Sequence, residues 1–79
     1  MLPPKLPSDI SQSRLVKAFS KVGFIADWSG GKGSHCKLTC PKTGKIITIQ
    51  SNLYKQVLRD KLKQAEELGY DATQIMNSY

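Results

Sequence analysis

Ser34-His35-Cys36-Lys37-Leu38-Thr39-Cys40-Pro41-Lys42-Thr43-Gly44-Lys45-Ile46-Ile47-Thr48-Ile49-Gln50 is the stretch that decides the fold. Two runs of β-type alternation flank Pro41-Lys-Thr-Gly44, a four-residue turn signal, so the segment reads as a hairpin. Its register can be worked out on paper. Pairing Cys40 with Lys45 brings Leu38 opposite Ile47 and Cys36 opposite Ile49, which collects the apolar residues on one face. His35, Lys37, Thr39, Ile46, Thr48 and Gln50 then share the other, polar face.

Towards the N-terminus, Ser29-Gly-Gly-Lys-Gly33 is a glycine loop and Phe24 to Trp28 is a further strand. Pairing Trp28 with Ser34 across that loop sets Ala26 against Cys36 and Phe24 against Leu38, on the same apolar face. It also sets Asp27 opposite His35 on the polar side, with Ile25 beside it. An antiparallel sheet with one covered and one open face follows.

Outside the sheet the period changes to that of helices. Ser11 offers an N-cap for a helix over about 12–22, with Leu15, Ala18, Phe19 and Val22 at inward spacing and Gly23 ending it. Ser51 or Asn52 is expected to cap a second helix over about 53–68, its inward side carrying Leu58, Leu62 and Ala65, extended by Tyr54 and Leu68. Gly69 stops it. Asp71 and Gln74 have capping-box spacing for a short last helix bearing Ile75 and Met76. The expected fold class is α+β: helix, three antiparallel strands, helix and a short C-terminal helix, with both long helices on one sheet face. Residues 1–10, with three prolines among the first seven, read as an extended lead-in to a single domain spanning 1–79.

Size and composition bound what such a chain does. Seventy-nine residues hold one small core,. A two-lobed enzyme, a dinucleotide-binding fold or a (β/α)8 barrel needs far more chain. No stretch approaches a membrane span or a signal peptide, so the expected setting is the cytosol. Cys36 and Cys40, four residues apart on one strand, would lie about 13 Å from each other and beyond disulfide reach, and both read as reduced core residues.

The formal net charge is +6, unevenly spread. All twelve basic residues lie at or before position 63, opposed there only by Asp9, Asp27 and Asp60. Such a field favours a polyanion or an acidic protein as partner. Positions 30–50 hold four lysines, the chain's single histidine and no carboxylate. His35 is therefore the candidate proton carrier, because imidazole titrates near neutrality. Lys32 and Lys37 flank it as phosphate holders, and Gly33 with Ser34 lets backbone N–H groups approach an anion.

Other readings of these residues stand beside that one. His35 is equally a plain exposed strand histidine, and Asp27 is either the carboxylate that orients it or half of an ordinary cross-strand pair. A metal site from His35, Cys36 and Cys40 is disfavoured because neighbouring strand residues point to opposite faces. Trp28 is expected to close the end of the core, with stacking on a nucleobase as the alternative. Lys55, Arg59 and Lys63, spaced four apart, form either a solvated helix face or a track for phosphates.

Lys5-Leu6-Pro7, then Val22-Gly23-Phe24 at the end of a helix, a glycine and lysine loop into Gly33-Ser34-His35, a hairpin, and Leu58-Arg59-Asp60-Lys61-Leu62-Lys63-Gln64-Ala65 in a second helix follow in an order that resembles the HicA toxin family. The likeness covers nearly the whole chain. It implies a double-stranded-RNA-binding-domain-like fold and a metal-independent ribonuclease, an mRNA interferase that arrests translation. His35 would be the catalytic histidine, no cofactor or metal would be needed, and a cognate HicB-type antitoxin would bind the toxin and mask that histidine. Gln50-Ser51-Asn52 departs from the family pattern in supplying no second imidazole, and the link Leu68-Gly69-Tyr70-Asp71 is longer than usual. The competing readings are a non-catalytic double-stranded-RNA-binding module and a basic protein built to dock an acidic one.

Overall fold

The computed structural model describes residue 6, residues 10–28 and residues 35–79. Its elements run α1 (Gln12–Lys21), β1 (Ile25–Asp27), β2 (Cys36–Thr39), β3 (Ile46–Ile49), α2 (Lys55–Glu67) and α3 (Ala72–Asn77). The three strands form one antiparallel sheet in the order β1-β2-β3. This is the expected α+β arrangement, the short last helix included.

Local chemistry fixes the boundaries. Ser11 accepts the Arg14 N–H at the start of α1. Gly23 follows with φ +111°, a conformation that side chains with a Cβ avoid, and turns the chain back so that the Phe24 N–H donates to the Phe19 carbonyl at 3.2 Å,. The hairpin closes as its sequence dictates. Cys40 N–H donates to the Lys45 carbonyl and Gly44 N–H to the Cys40 carbonyl, each at 2.8 Å, with Gly44 at φ +77°. Cys36 then pairs with Ile49 and Leu38 with Ile47.

One side of the sheet is fully covered. Leu15, Ala18 and Phe19 of α1, Cys36 and Leu38 of β2, Ile47 and Ile49 of β3, Leu58, Leu62 and Ala65 of α2 and Ala72 and Ile75 of α3 are all buried in a single cluster. Helix α3 packs against both α1 and α2, joining the two along their apolar sides. Leu6 and Ile10, read as lead-in, pack on the same cluster. Tyr79 closes the bundle. Its hydroxyl accepts the Ser11 N–H at 2.7 Å, its ring lies under the Arg14 guanidinium, and Arg14 donates twice to its main-chain oxygen.

Four local expectations are corrected. The β1–β2 register is displaced by two residues: Ala26 faces Leu38, Asp27 faces Lys37 and Ile25 faces Thr39. The cause is an aromatic cluster. Phe24 is buried between Phe19, ring centroids 5.0 Å apart, and Tyr70, at 4.8 Å, and the Tyr70 hydroxyl lies 3.9 Å from the Cys40 sulfur, so Phe24 sits level with Cys40. An even displacement keeps every side chain on its expected face. The N-cap of α2 is Tyr54, without a side-chain cap bond, rather than Ser51 or Asn52. Leu53 packs against the core first, and the helix starts beyond it. Tyr54 consequently points outward, 57% exposed. At α3, Asp71 accepts from the Thr73 N–H at 2.9 Å, one residue short of the capping box expected with Gln74.

Candidate nucleic-acid interface

Among the described residues every helix packs on the covered face of the sheet, and none covers the other face. Alternation along the strands assigns its residues. Ile25 and Asp27 of β1, Lys37 and Thr39 of β2, and Ile46 and Thr48 of β3 point away from the core,. The registers arrange them in rungs. Ile25, Thr39 and Ile46 form one rung, and Asp27, Lys37 and Thr48 form the next. His35 lies one step beyond, just before β2, and continuing the β2–β3 ladder brings it level with Gln50. Two residues along a strand span about 6.6 Å, which sets the spacing of His35 and Lys37 along this face.

His35 is exposed, whereas Cys36 and Cys40 are buried on the opposite face. The three therefore do not converge on one point. Asp27 does not stand against His35 as expected. It stands against Lys37, which leaves His35 on the diagonal, at roughly 7–8 Å between backbones,. Lys32, Gly33 and Ser34 lie outside the described residues. Lys37 is placed on the open face, as expected. On α2, Lys55, Arg59 and Lys63 are all exposed.

Trp28 corrects a further expectation. It is 50% exposed rather than closing the core. Ile10 and Leu53 are among the partly buried side chains that pack on the core, and the Gln12 side-chain amide donates to the Ile49 carbonyl at 2.9 Å. Sequence reasoning thus kept an exposed Trp28 only as its alternative and set Tyr54 on the inward side of the helix, whereas both side chains are exposed. The signal was present in their neighbours: Ser29 and the glycines after Trp28, and Gln50-Ser51-Asn52 before Tyr54, are polar or small and promise no core.

At the far end of the sheet the β2–β3 turn builds a second polar cluster. Burial pushes the Cys40 thiol up, but the Thr43 hydroxyl, the Thr43 and Lys42 backbone N–H groups and the Tyr70 hydroxyl together outweigh it, and the group is lowered to about 7,. Cys36 moves the other way, raised chiefly by burial. Lys42 holds its ammonium 4.7 Å over the Tyr70 ring, and a shallow groove lined by Lys21, Pro41, Lys42 and Tyr70 opens beside it. This cluster lies the length of β2 away from His35.

No helix among the described residues is long and apolar enough to cross a membrane. No protein-family model matches the chain, and no curated protein or solved structure matches it either.

Proposed function

We propose that this chain is a metal-independent endoribonuclease of the HicA kind, the toxin of a toxin–antitoxin pair, cutting messenger RNA in the cytoplasm and arresting translation. The observation that carries the reading is the placement of the single histidine: exposed, at the rim of the one uncovered sheet face, two residues from an outward lysine. The α-β-β-β-α order with a short last helix supports it, being the order the family resemblance implies.

The reaction needs no deep pocket. The ribose 2′-hydroxyl attacks the adjacent phosphorus and the 5′-oxygen leaves, giving a cyclic phosphate and a free 5′-hydroxyl. His35 transfers one of the two protons, from the 2′-hydroxyl or to the departing oxygen, and solvent water carries the other. Lys37 and Lys32 offset the charge that builds on the phosphoryl oxygens, aided by the N–H groups at Gly33 and Ser34. A HicB-type antitoxin neutralises the enzyme by covering the His35 face.

Induced expression of wild-type and His35→Ala chains, with RNA analysis, tests the proposal. Wild type should arrest growth and shorten messenger RNA in a manner that survives EDTA in the purified reaction, and the variant should do neither while melting at the same temperature. Equal activity of the two chains would remove His35 from the mechanism. A retarded but uncut RNA would favour the non-catalytic binding module.

A further inference from the structure

A sheet in the order β1-β2-β3 has two edges, and they differ. Hydrogen-bonded pairs alternate along an antiparallel ladder. Because the Cys40 N–H donates to the Lys45 carbonyl, the pairs that exchange backbone bonds inside the sheet are Leu38 with Ile47 and Cys36 with Ile49. The N–H and carbonyl groups of Ile46 and Thr48 therefore point out of the sheet, and among the described residues no backbone group from elsewhere bonds to either. By the same alternation the shorter strand β1 offers only Ala26 at its edge. Open edges are blunted by charges, prolines or bulges. Ile46-Ile47-Thr48-Ile49 has none of these, pairs with β2 residue for residue, and consists of side chains that favour strands,.

Charge selects what meets this edge. A groove lined by Lys45, Ile46, Ile47, Gln64, Glu67 and Leu68 runs between β3 and the end of α2, so Gln64, Glu67 and Leu68 mark the side of the helix turned to the edge. Asp60 and Lys61, four and three residues before Gln64, share that side,. Lys55 and Arg59 lie about 180° and about 140° around the helix from Gln64. The charges flanking the edge are then Lys45 and Lys61 against Asp60 and Glu67, which cancel in a chain of net charge +6. A polyanion or an acidic protein finds no field to hold it here, whereas a second copy of the same chain meets no net repulsion.

We infer that β3 pairs antiparallel with β3 of a second copy about a two-fold axis at Ile47, making one continuous six-stranded sheet. A two-fold axis presents the same groups from both sides of a contact. Setting Ile46 opposite Thr48 of the other copy pairs every outward N–H and carbonyl group at these positions. Lys45 then lies level with Ile49 of the other copy, so the two Lys45 residues stand about 14 Å apart along the strands, beyond the roughly 8–10 Å over which exposed charges act at physiological salt. The two open faces become one surface, with the His35 residues about 25 Å apart, three strand spacings across and six residues along. A contact made by one strand edge belongs with the small, transient interfaces, so the dimer forms at high concentration. Nothing in this pairing requires RNA, and it stands apart from the ribonuclease reading.

Sedimentation velocity of the full chain from about 10 µM to about 1 mM should move from the 8.8 kDa monomer towards twice that mass,. Over the same range the backbone amide NMR signals that shift with concentration should centre on Ile46 and Thr48. Thr48→Pro removes the outward N–H without touching a bond inside the sheet, a change edge strands tolerate, and should weaken self-association at least about tenfold with the wild-type circular dichroism retained. Thr48→Lys should weaken it as well, and Ile46→Glu/Thr48→Lys, which sets a carboxylate opposite each introduced ammonium, should recover at least about threefold of that loss. A monomer throughout the range, a Thr48→Pro chain that associates as tightly as wild type, or a double variant no tighter than Thr48→Lys overturns the inference. Shifts centred on Ile25 and Thr39 instead would assign the dimer to the open face and overturn the edge pairing.

Discussion

Asp27→Asn separates two accounts of the site by several orders of magnitude. If Asp27 held the imidazole as the third member of a triad, converting its carboxylate to an amide would cost about 10⁴ in rate, the loss seen when that orienting group is made neutral. The register gives a different value. Asp27 faces Lys37 and sees His35 only along the diagonal, about 7–8 Å away, across an open face where water screens the charge,. Coulomb attraction at that distance in water is about 0.5 kcal/mol, a factor of two to three in rate. Stability should fall by about 0.2–1 kcal/mol, the size of one exposed cross-strand charged pair, and the melting temperature by no more than about 8 °C. Single-turnover cleavage of a short RNA, with circular dichroism melts of both chains, measures both quantities. A loss of a hundredfold or more in a variant that melts normally would refute the register argument and restore Asp27 to the catalytic unit.

Gly23→Ala places a Cβ at φ +111°, where the nearest contact, the Pro41 side chain at 3.5 Å, is ordinary, so the cost is the backbone conformation itself. About 1–2 kcal/mol should be lost in urea unfolding, and an unchanged midpoint would show that the turn does not need glycine. Leu62→Ala empties a fully buried position and should cost about 2–5 kcal/mol, much of the stability of a domain this size, and a loss below 1 kcal/mol would contradict the packing,. Cys40, lowered from 9.0 to about 7, favours its ionised form in the folded chain, so its contribution is present above pH 9 and lost as pH falls through 7,. The stability difference between wild type and Cys40→Ser should therefore rise from pH 7 to pH 9. A flat difference across that window in urea titrations would remove the donors around the sulfur. On the proposed toxin reading, Ile25→Lys and Ile46→Lys should weaken capture by a HicB-type antitoxin at least tenfold in pull-down titrations while RNA cleavage stays within threefold, and an equal effect on both would merge the two surfaces.

What the sequence made legible follows from how tightly each link is constrained. The hairpin was readable because four residues separate Cys40 from Lys45 and only one register puts Leu38, Ile47, Cys36 and Ile49 together. The glycine loop imposes no such constraint. There the register was set at the other end of the strand, by Phe24 seating itself between Phe19 and Tyr70, and Tyr70 arrives from a link forty-six positions later in the chain. A residue that acts through so distant a neighbour leaves no local signature. The faces survived because the displacement was even, which is why Lys37 was placed correctly while the opposition of Asp27 to His35 was not. Trp28 and Tyr54 were misplaced because aromatic character alone does not assign a side chain to the core; they stay 50% and 57% exposed.

The bare face also divides by chemistry along its length. At the turn end, Ile25 and Ile46 stay 62% and 56% exposed across the Ile25–Thr39–Ile46 rung. At the other end stand Lys37 and His35. RNA gains from the second set and little from the first, since phosphates and ribose offer no apolar surface to bury an isoleucine side chain. A protein gains from the first set, because burying each isoleucine contributes about 1.5–3 kcal/mol, and it reaches the second by charge. An inhibitor anchored on the isoleucine rung with an acidic segment laid over Lys37 and His35 would use both ends at once. Helix α3 makes that division possible. By joining α1 and α2 on the covered side, it spends the helices' apolar surface in one core and leaves none to shield the other side of the sheet.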